Sequence, residues 1–444
     1  MFEFGRELRR IFRHHDRIDA DTSLYELMNL QLLIAQGRQF DIEGGRVSTR
    51  DRFSPYLQAA RIWREYARRT GDPVAMRRAA AAAENAGKDA HTAAEAAQAA
   101  LEQAQTCLLS HDLFETGDLL SSAEDLLANG RPAVQDDETL RARYNSAEAQ
   151  LAARLALTQG VGGDLELALL AMSHIDRAVE RADQLVQKCH ASADKIEAAQ
   201  ARFERADLLM KVGLDRSDSS LMTAVIRDFE AVMARLDPAY EPVTYARVLL
   251  RLAQAQIWKG EIDGRPDMVS EGIALLSNDE ACLDFEHSPL DWATHQQALA
   301  MGLQVLAELT LNADLHERAL QVYDLALKRP LQKGLVLRAS LIEDRALCHT
   351  RHAESQGDLK ALDAAEAHFK IALRATKPQD DPVTWAVLQM QLARLYVARG
   401  DMTGFMMERT EAAYALDAAL DIFAEQGLRG LSASARSLQE RVKS

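Results

Sequence analysis

A glycine–acid turn returns along this chain about every 46 residues, and that rhythm restricts the fold more than any other feature of the sequence. Gly71-Asp72, Gly117-Asp118 and Gly163-Asp164 keep the interval, and Gly357-Asp358 and Gly400-Asp401 resume it. Between the two sets lie related turns at Gly213-Leu214-Asp215, Gly260-Glu261 and Asn312-Ala313-Asp314. Gly or Asn takes the left-handed conformation that closes one helix. The acid that follows can accept backbone N–H groups at the start of the next. Each turn is thus the joint of a helical hairpin, and the chain reads as a stack of such hairpins.

A second marker runs in step with the first. Pro242-Val243-Thr244-Tyr245-Ala246 is repeated as Pro289-Leu290-Asp291-Trp292-Ala293 and as Pro382-Val383-Thr384-Trp385-Ala386. Between the last two, Lys333 to Ser340 forms a degenerate start without Pro or Trp, centred near Leu335. Proline fits the first helical position because its missing N–H would have no intrahelical partner there. Trp385, Leu388, Leu392 and Leu395 then share one apolar stripe at helical spacing. The second helix of each unit has its own pattern. Ala319, Tyr323, Ala326 and Leu327 match Ala365, Phe369, Ala372 and Leu373, with Leu416, Ala419 and Leu420 as a third copy. Small Ala beside a large ring lets two helices interlock closely.

Composition agrees with an all-α chain. Of 444 residues only 22 are Gly and 10 are Pro, and aromatics make up 6%. Lys and Arg total 52 against 67 Asp and Glu, a net charge of −15, which gives no general affinity for nucleic acid or anionic lipid. No apolar run approaches the roughly 18 residues of a membrane span, and Arg6, Arg9, Arg10 and Arg13 interrupt the N-terminal apolar stretch. Cys107, Cys189, Cys282 and Cys348 are too scattered for a disulfide framework or a zinc knuckle. The expectation is a soluble, cytoplasmic protein, bacterial in style, without stable membrane insertion and without a nucleic-acid partner.

Three regions differ in regularity. Residues 1–54 read as a helical N-terminal cap and loop: an amphipathic helix from Phe2 to about Arg17, a second from Ser23 to Arg38, and a loop from Ile42 to Thr49. Residues 55–190 are irregular, Ala-rich repeats. They open with a helix pair, Pro55 to Thr70 and Pro73 to Ala86, joined at Gly71. A break falls at Gly87-Lys88, and Asn129 to Asp137 reads as a linker. Residues 191–444 carry the regular repeats.

From about Ala193 to Gly427 the sequence resembles the tetratricopeptide-repeat (TPR) family and its longer-helix bacterial relatives. The first-helix signature stands as Leu392-Ala393, Tyr396 and Gly400, and as Leu252-Ala253, Gln256 and Gly260. The second-helix signature stands as Ala319, Tyr323, Ala326 and Leu327. The unit of about 46 residues exceeds the family's 34, so the helices should be longer. The resemblance implies a right-handed α-α superhelix with a helical N-terminal cap and a concave groove. By the family's register the groove-facing, partner-binding positions are Arg247, Arg251, Gln254, Gln391 and Arg394, with Gln297 and Arg338 more loosely placed. Such side chains suit a peptide backbone or carboxylate.

No catalytic, cofactor or metal motif emerges. The chain lacks a phosphate loop, a dinucleotide fingerprint and a zinc-protease helix, and Gln159 to Asp164 lacks the Lys-Ser/Thr its glycines would need. Cys348, His349 and His352 form the densest group of metal-ligand types but have no fourth partner nearby in sequence. Cys189-His190 are adjacent on a helix and point about 100° apart. His14-His15 reads as a solvated pair. Trp258, Trp292, Trp385 and Tyr245 recur at equivalent places and read as wedges between repeats. The N-terminal helix either caps the first repeat or makes peripheral contact with a membrane or partner through its arginines. The function expected is a non-enzymatic interaction scaffold that holds a peptide or partner helix on its concave surface, where Arg side chains would favour acidic segments, with homo-oligomerisation also open. The alternatives are a ligand-sensing regulator acting through a separate output chain and, below both, an enzyme on an α-α frame.

Overall fold

The computed structural model describes residues 23–443 apart from 47, 49, 115–117, 135–136, 159–164, 190–191, 278–282, 333, 358, 380–381 and 426–428. The helix expected from Phe2 to Arg17, His14-His15, the Gly117-Asp118 glycine and the Gln159 to Asp164 turn lie outside the described residues.

Every regular element among the described residues is a helix, and none is a strand. In chain order the α-helices are α1 (Ser23–Leu27), α2 (Leu30–Gly45), α3 (Phe53–Thr70), α4 (Pro73–Lys88), α5 (Ala93–Phe114) and α6 (Leu119–Gly130). A 3-10 turn, Arg131–Val134, leads to α7 (Glu138–Thr158), α8 (Leu165–Cys189), α9 (Ser192–Arg216), α10 (Ser219–Met233), α11 (Pro242–Ile262) and α12 (Pro266–Leu276). The array ends with α13 (Pro289–Thr310), α14 (Ala313–Lys328), α15 (Val336–Gln356), α16 (Leu359–Ala375), α17 (Pro382–Thr403), α18 (Met406–Glu425) and α19 (Arg429–Lys443). This is an all-α solenoid.

Most starts follow the sequence. Pro242 and Pro289 open α11 and α13, and Pro382 opens α17. The degenerate copy opens α15 at Val336 without Pro. The small-beside-large pattern forms the core: Ala319, Tyr323 and Ala326 are completely buried, as are Leu416, Ala419 and Phe423. Of the wedge aromatics, Tyr245 and Trp258 pack on one core cluster, Trp292 on the next and Trp385 on the last.

The N-terminal region departs from the expected boundaries. The helix expected from Ser23 to Arg38 is broken at Met28-Asn29, where Asn29 accepts the Leu32 N–H and caps a new helix. That helix then runs through the expected loop to Gly45. Near its end the Tyr56 ring packs on Gly44, within 2.8 Å of where a Cβ would sit. The expected linker from Asn129 is a packed corner: Gly130 lies under the Tyr144 ring and Val134 is buried.

The recurring glycines have two distinct uses. Gly71 and Gly357 are left-handed closing residues, with φ of 68° and 61°, and Asp72 caps α4 by accepting the Val74 N–H at 2.8 Å. Leu311 takes the left-handed place before Asn312, which caps α14. Gly213, Gly260 and Gly400 instead lie inside helices that continue past them. The chain turns later, at Ser217, Gly264 and Gly404, all with positive φ. At Gly260 the following helix presses in so closely that a Cβ would meet the Val269 side chain at 2.7 Å and its backbone nitrogen at 2.9 Å. The cap that follows is accordingly Asp218 rather than the expected Asp215, and it accepts from the Ser220 and Leu221 amides. Asp118 precedes α6 without a side-chain cap bond.

The helices form two rows. Each of α3, α5, α7, α9, α11, α13, α15, α17 and α19 packs on its immediate neighbours and also directly on the next member of that set. The helices between them make no comparable contact with one another. Helices that approach in this way line the inner side of a curved array. The inner row also returns on itself: α3 touches α13 and α5 touches α15, five hairpins further on. Leu113 and Phe114, at the end of α5, pack into the cluster of Leu290, Leu335 and Cys348. The Leu335 side chain presses on Gly71. The first winding of the array is therefore seated against a later one.

Candidate functional site: the inner helix row and its seam

Consecutive inner helices from α3 to α17 are all bridged by polar side chains separated by roughly one repeat. Glu102 on α5 receives Arg61 and Arg64 from α3 and Arg143 from α7, with Arg61 Nε at 2.7 Å and Arg143 Nη2 at 2.9 Å. Although buried, its carboxyl is held well below the usual range, because three guanidinium charges outweigh the desolvation that opposes them. Arg154 on α7 then grips Asp112 on α5 and Glu204 on α9. Asp207 on α9 pairs with Arg251 on α11, and Arg247 on α11 makes a two-pronged bond with Asp291 on α13 at 2.7 and 2.8 Å.

The last two bridges change chemistry. Gln297 Nε2 on α13 donates to Asp344 and Ser340 on α15, and Gln391 Nε2 on α17 donates to Glu343. Here amides stand where arginines stood. Burial raises Glu343 to about 7, with Asp344 adding to the rise, while the Gln391 bond and the Arg394 charge oppose it. Burial raises Asp344 to about 6 against the Gln297 bond.

The seven sequence-derived positions thus fall mainly into this ladder. Arg247, Arg251, Gln297 and Gln391 are bridging residues. Gln254 accepts from Arg251 at 3.0 Å, and Arg394 donates to Gln391 at 3.5 Å. Gln254, Gln297 and Gln391 are buried, whereas Arg247, Arg251, Arg338 and Arg394 are partly exposed. Arg251 also lies over the Phe203 ring. Sequence reading missed the Glu102 cluster, Arg154 and the acidic pair. Their signal is an arginine or amide one repeat from an acid on the same row, which shows only once the inner row is known.

A second polar group occupies the seam where windings meet. Glu26 on α1 accepts the Val243 and Thr244 amides at the start of α11, at 3.1 and 3.0 Å, and also the Thr244 hydroxyl. These residues are more than two hundred positions apart in sequence. Arg69, at the end of α3, is completely buried. It donates to the Tyr25 and Met28 carbonyls at 2.6 and 2.7 Å and pairs with Glu65 at 2.8 Å. Its Nη1 also lies 3.0 Å from His287 Nε2. Burial, reinforced by the Arg69 charge, holds the His287 ring below its usual range, so the neutral ring accepts this bond.

The histidines around α15 pack against one another and against Cys348. His316 lies beside His352 and Cys348, and His368 stacks on His349 with ring centres 5.3 Å apart. Among the described residues no group of three His, Cys, Asp or Glu side chains is placed to hold a metal ion. Burial pushes the Cys348 thiol up to about 12 and the His349 ring down to about 4, the reverse of a reactive pair. Cys189 ends α8, and neither its side chain nor His190 is among the described parts. No helix among the described residues is long and apolar enough to cross a membrane.

No protein-family model matches the sequence, and the search of curated proteins finds no relative. Among solved structures, the chain is similar to a "Circular tandem repeat protein with novel repeat topology and enhanced subunit contact surfaces". The two are 15% identical, the match covers 95% of this chain and 96% of that one, and the TM-score is 0.29.

Proposed function

We propose that this protein is a non-enzymatic, TPR-like interaction scaffold that receives a peptide or partner helix on its inner face. The observation that carries this reading is the bridged inner row. Polar links from α3 to α17 fix neighbouring helices in one register, and a surface fixed before binding loses little freedom when a partner arrives. Four of its arginines, Arg247, Arg251, Arg338 and Arg394, keep part of their surface in solvent. Guanidinium groups held by packing favour carboxylates and backbone carbonyls, which points to an acidic segment as the partner.

The test is affinity capture from the source cell with mass spectrometry, using the native chain and an Arg251→Glu/Arg394→Glu variant. The variant breaks the Arg251 bridge to Asp207, so circular dichroism and melting first establish that it is folded. A partner recovered by the native chain and lost by the variant supports the reading. Equal recovery by both overturns the role of the inner face.

A further inference from the structure

Helix α1 is only five residues long, Ser23–Leu27, far short of what an isolated helix needs in water. Its conformation is therefore set by what grips it, and the grip is specific. One end of the segment presents a carboxylate, Glu26, to two free amides and a hydroxyl at the start of α11. Its backbone presents the Tyr25 and Met28 carbonyls to both Nη atoms of Arg69. The Tyr25 hydroxyl meets Gln58 on α3, and its ring is buried near Leu33 and Ile62. Arg69 is itself aimed by Glu65.

These are the contacts by which a protein holds a short peptide: two carbonyls on one arginine, a carboxylate on a helix start and an aromatic ring in a pocket. Nothing in that set requires the peptide to belong to the same chain. The segment is also built to leave. Helix α2 has its own cap in Asn29, so its first turn does not depend on α1.

We propose that Ser23–Met28 is a self-ligand seated in a peptide-docking site formed by α3 and the start of α11, and that the site's external occupant is a partner segment in which an aromatic residue directly precedes an acidic one. This rests on the scaffold reading and names the partner's chemistry. A tethered occupant sits at an effective concentration on the order of millimolar, so it screens out weak competitors. Only a segment that supplies the same contacts plus others displaces it, and displacement replaces the strap's own Glu26 link to α11.

The test uses the full chain and a fluorescent peptide with the sequence of residues 21–30. Tyr25→Ala/Glu26→Ala removes the strap's own side chains and leaves the site intact. This variant is expected to bind the peptide at least tenfold more tightly than the native chain. A peptide with its Tyr and Glu exchanged is expected to bind at least tenfold more weakly. On the site side, Thr244→Val added to the strap variant is expected to weaken binding severalfold, and Arg69→Ala to abolish it. Circular dichroism and melting establish that each variant is folded, and Thr244→Val alone suffices if Arg69→Ala is not. The proposal is overturned if the strap variant binds no tighter than the native chain, or if binding ignores Thr244→Val and the order of Tyr and Glu. Either result leaves partner capture through Arg251 and Arg394 standing, so the two readings fail separately.

Discussion

Arg61 Nε lies 2.7 Å from a carboxylate oxygen of Glu102, and neither side chain has more than a trace of solvent contact. Arg64 and Arg143 complete the ring of charge around that carboxylate. Removing the acid alone leaves Arg61 and Arg64 facing each other away from water, with the partly exposed Arg143 beside them. Glu102→Ala is expected to cost about 3–5 kcal/mol of stability, read by urea unfolding. Replacing Arg61, Arg64 and Glu102 together by apolar residues of similar volume is expected to cost far less. A loss below about 1 kcal/mol in the single variant would remove the cluster from any structural role.

The acidic pair on α15 makes the opposite prediction with pH. Glu343 and Asp344 are raised to about 7 and about 6, so the folded chain holds protons that the unfolded chain gives up. Their stabilising share is present below the unfolded values of 4.5 and 3.8 and is lost as pH rises through the folded ones. Glu343→Gln/Asp344→Asn keeps the acceptor oxygens for Gln391 and Gln297. It is expected to raise stability at pH 8 by on the order of 2 kcal/mol and to have little effect near pH 4. A variant with the same effect at both pH values contradicts this assignment.

Gly260 and Gly264 separate two reasons for glycine that look alike in a sequence. Gly260 is helical and pressed by Val269, so Gly260→Ala is expected to cost about 1–3 kcal/mol through overpacking. Gly264 has φ of 61° with open space around it, so Gly264→Ala is expected to cost about 1–2 kcal/mol through backbone strain alone. Gly264→Asn is expected to recover part of that loss, and Gly260→Asn none. Thermal melts of the four variants test the distinction.

Tyr323 is completely buried, and its hydroxyl has no hydrogen-bond partner among the described residues. Tyr323→Phe removes an unsatisfied polar group without changing the ring. The melting temperature is expected to hold or rise, with a gain of up to about 1 kcal/mol. A clear loss would show that the hydroxyl is partnered in solution.

The hairpin rhythm was legible because its causes are local. A proline at the first helical position, a cap such as Asp72 and an Ala–ring pattern each act within a few residues. The exact joints at Gly213, Gly260 and Gly400 were not, because a glycine that admits a neighbouring helix and one that closes a helix share a letter. The groove candidates all fall on one row of helices, yet their partners were not legible. Arg247 to Asp291 and Gln391 to Glu343 span one repeat, and only the fold shows which repeats are in phase. The Glu26–Thr244 link is further still from anything periodic.

The return of α3 onto α13 and of α5 onto α15 changes how such an array should come apart. A stack whose units touch only their neighbours frays from either end, one unit at a time. Here the opening coil is bolted to its later counterpart through Arg69, His287, Gly71 and Leu335. Helices α3 and α5 are thereby tied down as firmly as helices deep in the stack, and their amides should exchange with solvent at the slow rate of the middle.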